Sequence, residues 1–261
     1  MTSPLLPGTA LVTGASSGIG AVYAEKLAQR GYDLVLVGRN AANLTLLAES
    51  LTAQTDRRVD VLVADLADSA GIAAVEARLR DDASLTLLVN NAGLAANGPL
   101  TEVAADALTD MLTVNVVALT RLAAAAGAAF SARKRGGIIN LASAMAFLDT
   151  PRTAAYGASK AYVLNLTLSL DLELSPNGVQ VQAVLPGYTR TPMIAGGANL
   201  PPEAVMETAD LVDAALTGFD RRELVTIPSL EAVSAYDTWA SARTALQPFL
   251  SLARPAARYA A

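Results

Sequence analysis

The chain has 261 residues, 52% of them hydrophobic, with 19 basic against 24 acidic side chains and a net charge of −5. That is enough apolar material for one large α/β domain, and no basic stripe points to nucleic acid; Arg133-Lys134-Arg135 reads as a solvated helix end. Cysteine and histidine are both absent, which excludes disulfides and thiolate chemistry and removes the commonest general base and the commonest transition-metal ligand.

Short β-branched runs then alternate with longer Ala/Leu-rich stretches. Strands are predicted at 11–13, 34–37, 59–63, 85–89, 137–141, 179–185 and 224–227. Helices are predicted at 18–30, 41–54, 68–81, 104–132, 154–175 and 202–217. Strand–helix alternation with apolar strands implies a doubly wound, seven-stranded parallel sheet, the Rossmann arrangement, in a single domain. The stretch 230–252 reads as a further helix in a C-terminal extension of about 228–261. No secretory signal and no apolar run of membrane-spanning length is visible, so a soluble cytoplasmic protein without membrane partners is expected.

The first strand enters Thr13-Gly14-Ala15-Ser16-Ser17-Gly18-Ile19-Gly20, and a helix follows. Glycines there permit a tight turn and let a pyrophosphate approach the backbone at a helix N-terminus. No GK[ST] closes the loop, which argues against a Walker-type ATP site. A glycine turn that merely packs helix on sheet is the plain alternative. The second strand ends in Gly38-Arg39-Asn40, without the carboxylate that would hold an NAD ribose. Arg39 can pair with a 2′-phosphate and Ser16 can add a hydroxyl, so NADP is favoured over NAD.

Tyr156 and Lys160 stand four apart in a predicted helix, on one face. A free phenol titrates near ~10, and a neighbouring ammonium lowers that value. The pair is thus a candidate acid/base element where histidine is lacking, although its spacing also suits an ordinary half-exposed helix pair. Ser143 follows the fifth strand, at the carboxyl edge where such sheets bind ligands.

Taken together, these motifs resemble the short-chain dehydrogenase/reductase family over about residues 8–192. The glycine loop, Asp65-Leu66 after the third strand, Asn90-Asn91-Ala92-Gly93 at the end of the fourth, Asn115, Ser143, Tyr156, Lys160, and Pro186-Gly187 with Thr189 and Thr191 carry the likeness. The resemblance implies NADP-dependent interconversion of a carbonyl and an alcohol. Tyr156 would be the proton-transfer residue, Lys160 would bind the nicotinamide ribose and lower the tyrosine pKa, and Ser143 would bind the substrate oxygen. Asn115 would hold a water for proton relay. It also implies a homodimer or homotetramer assembled through helices 104–132 and 154–175.

The substrate pocket is expected along 94–100, 144–153 and 188–200, with Leu94, Met145, Phe147, Leu148, Tyr188, Met193 and Ile194 as its apolar wall. Such walls favour a small uncharged, apolar carbonyl compound or alcohol. Ala195-Gly196-Gly197-Ala198-Asn199 is a candidate lid hinge. A catalytically silent NADP-binding regulator on the same fold is the alternative, against which the four catalytic-type residues stand. No metal site is expected.

Overall fold

The computed structural model describes residues 7–194 and 200–259. Contacts divide the chain into two compact units, residues 1–228 and 229–261.

In the first unit the seven strands are all parallel, in the order β3-β2-β1-β4-β5-β6-β7. They are β1 (Thr9–Thr13), β2 (Asp33–Gly38), β3 (Val59–Val63), β4 (Leu85–Asn90), β5 (Gly136–Leu141), β6 (Val179–Val184) and β7 (Val225–Thr226). The helices are α1 (Gly18–Gln29), α2 (Ala41–Thr55), α3 (Ser69–Asp81), α4 (Ala105–Leu112), α5 (Leu119–Arg133), α6 (Ala154–Leu174) and α7 (Thr208–Asp220). Alternation along the strands sorts side chains into two layers. Ala10 and Val12 of β1 join Tyr23 and Leu27 of α1 and Leu211 and Phe219 of α7 on one face. Leu11 joins Val75 of α3 and Leu122 and Phe130 of α5 on the other. The strand order reverses between β1 and β4, which opens a crevice at their carboxyl ends.

Three helices differ from the sequence expectation. The predicted helix 104–132 is interrupted by a π-helical turn, Thr113–Ala118, which lets Asn115 reach across to the chain after β4. By length and composition Ala105–Arg133 is apolar enough to cross a membrane, but half of that window is buried inside the fold against the sheet and its neighbours. α7 begins at Thr208 rather than near 202, because Pro202–Ala204 forms a 3-10 turn and Met206 bridges to Thr189 in extended conformation. In the second unit, α8 (Ser234–Ala245) is shorter than the expected 230–252; Pro248, with no N–H to donate, lies in a separate 3-10 turn, Gln247–Phe249.

Candidate functional site

The loop after β1 turns on Gly14, at φ +66°, a conformation that side chains disfavour. Gly20 is required by contact: a Cβ there would lie 2.5 Å from the Asn91 amide nitrogen and closer still to the Gly14 carbonyl. Asn91 donates to the Thr13 carbonyl at 2.9 Å, and the Thr13 hydroxyl accepts from the N–H groups of Asn91 and Ala92 at 3.0 Å each. The glycine loop and the chain leaving β4 are thereby fastened together across the switch point. α1 then starts at Gly18 behind Ser17, whose side chain makes no cap, and Ser17, Gly18 and Ile19 at this helix N-terminus line the crevice.

A cleft of about 1140 Å³ runs along this edge. Gly14, Ser16, Ser17, Gly18, Ile19, Arg39, Asp65, Leu66, Asn91, Ala92 and Gly93 line one part; Pro186, Gly187, Thr189 and Thr191 line another. Gly20 lies behind the loop and acts by letting helix and loop approach. At the far end Arg39 stands 3.7 Å from Asp65, and both are substantially exposed. Asn40 caps α2 by accepting from the Asn43 N–H, and Asn43 donates in turn to the Ser16 carbonyl at 3.4 Å. Arg39, Asp65 and Lys160 are the charged residues among the described lining.

The cleft is larger than the roughly 300–1,000 Å³ usual for one small ligand, leaving room for a dinucleotide and a second molecule. Gly187 has nothing within 4 Å of where a Cβ would sit, so the cleft is open there. A glycine-walled helix N-terminus with an arginine and no carboxylate at the end of β2 fits the phosphates of such a group.

Ser143, Tyr156 and Lys160 meet in the same cleft. Ser143 begins the 3-10 turn Ala144–Phe147; its hydroxyl accepts from Met145 N–H at 3.2 Å and donates to the Pro186 carbonyl at 3.3 Å, a long bond that is easily exchanged. Tyr156 lies in the first turn of α6. Burial pushes its phenol pKa up, and the hydrogen bond with Ser143 only partly offsets this. The lowering expected from Lys160 is not the governing effect, because desolvation disfavours the phenolate more than its neighbours favour it. Lys160 is itself buried, with Nζ donating to the Leu141 carbonyl at 2.8 Å and lying 5.7 Å from the Tyr156 ring centre. Burial lowers its pKa to about 8.

Asn115 sits beside this group, fully buried. Its Oδ1 accepts from Leu94 N–H at 2.8 Å, and its amide donates to the Leu94 carbonyl at 2.9 Å and to Ser159 Oγ at 3.2 Å. Both donors are used, which leaves an Oδ1 lone pair for the expected relay water. Ser159, which carried no signal in the sequence beyond its place before Lys160, donates to the Tyr156 carbonyl at 2.7 Å. Asn90 and Asn140, opposite each other on β4 and β5, form a second buried chain: Asn90 donates to Asn140, and Asn140 to Thr167 of α6, each at 3.0 Å. It ties the helix carrying Tyr156 and Lys160 to the sheet.

On the substrate side Leu94, Met145, Leu148, Tyr188, Met193 and Ile194 line the cleft. Phe147 does not: it packs with Leu119, Val163 and Leu164 in a core cluster, because at three residues per 3-10 turn Met145 and Leu148 share the cleft side and Phe147 is turned away from both. Asn97, Thr150, Pro151, Thr153 and Pro192, all within the three expected segments, add to the wall, and so does Val114, which nothing in its local sequence marked. The proposed hinge 195–199 lies outside the described residues.

Comparison with known proteins agrees with this geometry. The family model for short chain dehydrogenase matches residues 8–198. A short-chain dehydrogenase from Sphingobium yanoikuyae, solved in complex with NADPH, is 49% identical with a TM-score of 0.93, over 97% of this chain and 100% of that one. The bulky-bulky ketone specific alcohol dehydrogenase from Comamonas testosteroni is 43% identical with a TM-score of 0.92, over 98% and 100%. The human inactive hydroxysteroid dehydrogenase-like protein 1 is 33% identical over 188 residues, 71% of this chain but only 57% of that protein. With its glycine loop, its Ser-Tyr-Lys cluster and a family match over most of its length, the chain belongs to the short-chain dehydrogenase family.

Proposed function

We propose that this enzyme is an NADP-dependent reductase of uncharged ketones, working reversibly as an alcohol dehydrogenase, with Tyr156 as general acid/base. The observation that carries the reading is that Ser143, Tyr156 and Lys160 share one cleft with the glycine loop. The nicotinamide, when bound, supplies or takes the hydride. Ser16, Ser17 and the N-terminus of α1 would hold its pyrophosphate, Arg39 and Ser16 the 2′-phosphate, and Asp65 and Leu66 the adenine end. Gly93, Lys160, Pro186, Gly187, Thr189 and Thr191 would surround the nicotinamide half.

In reduction, the Tyr156 hydroxyl donates its proton to the substrate oxygen as negative charge develops there. A buried phenol that stays protonated at neutral pH is in the correct state for this step. Ser143 exchanges its long bond to Pro186 for one to the same oxygen, and so stabilises the charge. In oxidation the proton returns to Tyr156 from the alcohol. The Lys160 ammonium, protonated below about pH 8, favours the phenolate form that appears in the cycle.

The apolar wall supports a ketone with bulky substituents on both sides, the class for which the Comamonas enzyme is named. Exposed Leu112, Val117, Tyr162 and Leu172 on α4, the π turn and α6 support the homodimer or homotetramer expected through these helices.

The test is NADPH oxidation measured with a panel of aryl and diaryl ketones. Turnover by the wild type, and a loss of about 10²–10⁴-fold in Tyr156→Phe with NADPH binding retained, is the expected result. Tight NADPH binding with no turnover on any ketone would instead make the chain a silent NADP sensor.

A further inference from the structure

The substrate pocket has two walls from distant parts of the chain, 94–98 after β4 and 148–153 before α6. The first is tied to the base of α6 through Asn115, which bonds both backbone groups of Leu94 and the Ser159 hydroxyl. At its other end the Gly98 N–H donates to the Arg152 carbonyl at 2.8 Å. Arg152 has φ +70°. The other non-glycine residues with positive φ among those described, Asp56, Lys134 and Arg222, cap or directly follow helices α2, α5 and α7. Arg152 instead occupies the third position of the turn Thr150-Pro151-Arg152-Thr153. Proline at the second position and left-handed backbone at the third mark a type II turn, which favours glycine where this chain has arginine. The Thr150 and Thr153 hydroxyls, 2.7 Å apart, and the bond from Thr153 Oγ1 to the Thr150 carbonyl close it. Thr153 is the N-cap residue of α6, three positions before Tyr156. Asn97, Thr150, Pro151 and Thr153 all face the cleft around this bond.

We propose that the Gly98–Arg152 hydrogen bond is a staple that holds the two pocket walls at a set separation next to Tyr156, which makes Arg152 a specificity-determining residue through its backbone. The left-handed turn aims the Arg152 carbonyl at the opposite wall, and the bond it receives there keeps the turn in that conformation. With the staple made, the walls close on a compact ketone and hold its carbonyl under Tyr156. A ketone with two bulky groups fills the pocket without needing that closure. This inference rests on the ketone reductase reading above.

Two substitutions separate backbone from charge. Arg152→Asn removes the guanidinium but keeps a residue that tolerates left-handed backbone; Arg152→Val removes it and disfavours that backbone strongly. Steady-state kinetics with NADPH compare acetophenone with benzophenone. In Arg152→Val the KM for acetophenone rises about fivefold or more, while kcat, the benzophenone KM and the NADPH dissociation constant stay within about twofold; Arg152→Asn stays within about twofold throughout. Gly98→Ala attacks the donor side, since its Cβ would lie 3.2 Å from Val103 Cγ2 at φ +146°, and it reproduces the valine result. Equal changes in the asparagine and valine variants, or an unchanged KM ratio in both Arg152→Val and Gly98→Ala, overturn the staple alone. A wild type inert toward both ketones removes the ketone reading and the staple with it.

Discussion

Replacing Lys160 with methionine is expected to stabilise the fold while destroying activity. Lys160 is 5% exposed, its ammonium donates to the Leu141 carbonyl, and no carboxylate pairs with it among the described contacts. Burial takes its pKa from 10.5 to about 8. At about 1.4 kcal/mol per pH unit, keeping the charge in the native state at neutral pH costs roughly 3 kcal/mol. Methionine has a similar length, no charge and no donor. Its substitution forfeits about 1 kcal/mol for the bond to Leu141, so a net gain of roughly 2 kcal/mol at pH 7 is expected. The sign with pH follows from proton counts. Below about 8 the lysine is protonated in both states, and the native state carries the full penalty. Between about 8 and 10.5 the unfolded chain binds more protons than the native one, so wild-type stability gains from this group as pH rises. The advantage of Lys160→Met must therefore shrink across that window. Urea unfolding of both proteins between pH 7 and pH 9.5, monitored by far-UV circular dichroism, measures the difference directly. A variant that is less stable at pH 7, or whose advantage is flat with pH, would refute the claim that burial governs this site.

Three further outcomes are expected. Arg39→Asp should weaken NADPH relative to NADH by about 10- to 100-fold, the worth of one charge-assisted bond to the 2′-phosphate, as measured by the ratio of kcat/KM for the two cofactors. Gly20→Ala should abolish cofactor binding and lower stability by about 1–3 kcal/mol, because its Cβ would collide with the Gly14 carbonyl and the Asn91 amide; thermal melts with and without NADPH would show a lower Tm and no ligand-induced rise. Tyr23→Phe should raise stability by about 1 kcal/mol, since the Tyr23 hydroxyl is fully buried with no hydrogen-bond partner among the described residues; an unchanged or lower urea midpoint would show that the hydroxyl is satisfied after all.

Chemistry that depends on local backbone or on residue type was legible along the chain. Seven mostly apolar runs separated by helical stretches were enough to imply the parallel sheet, because strands covered on both faces read as nearly continuous apolar runs; the edge strand β3, with Asp60 and exposed Val61 and Val63, is not covered in this way. The glycine loop, the absence of a carboxylate after β2, and the Tyr156–Lys160 spacing were each readable as local patterns with a plain structural alternative, and it was their combination in one order that pointed to the site. Phe147 was misplaced because side chains in a 3-10 turn step round by a third of a turn per residue, and no periodicity over a span of four residues says which one faces the ligand. The late start of α7 came from pairing between Tyr188 and Met206, residues 18 apart, which no local propensity encodes.

Residue types and spacings alone determined the family, the sheet and which side chains can transfer a proton. Tertiary structure alone decided the protonation balance at Tyr156 and Lys160, the brace from Asn115 to Leu94 and Ser159, and the bond joining Gly98 to Arg152. The reason is that desolvation and hydrogen-bond partnership depend on what lies within a few ångströms in space, and hydrogen-bonded partners described at this site lie as much as 79 residues apart in the chain.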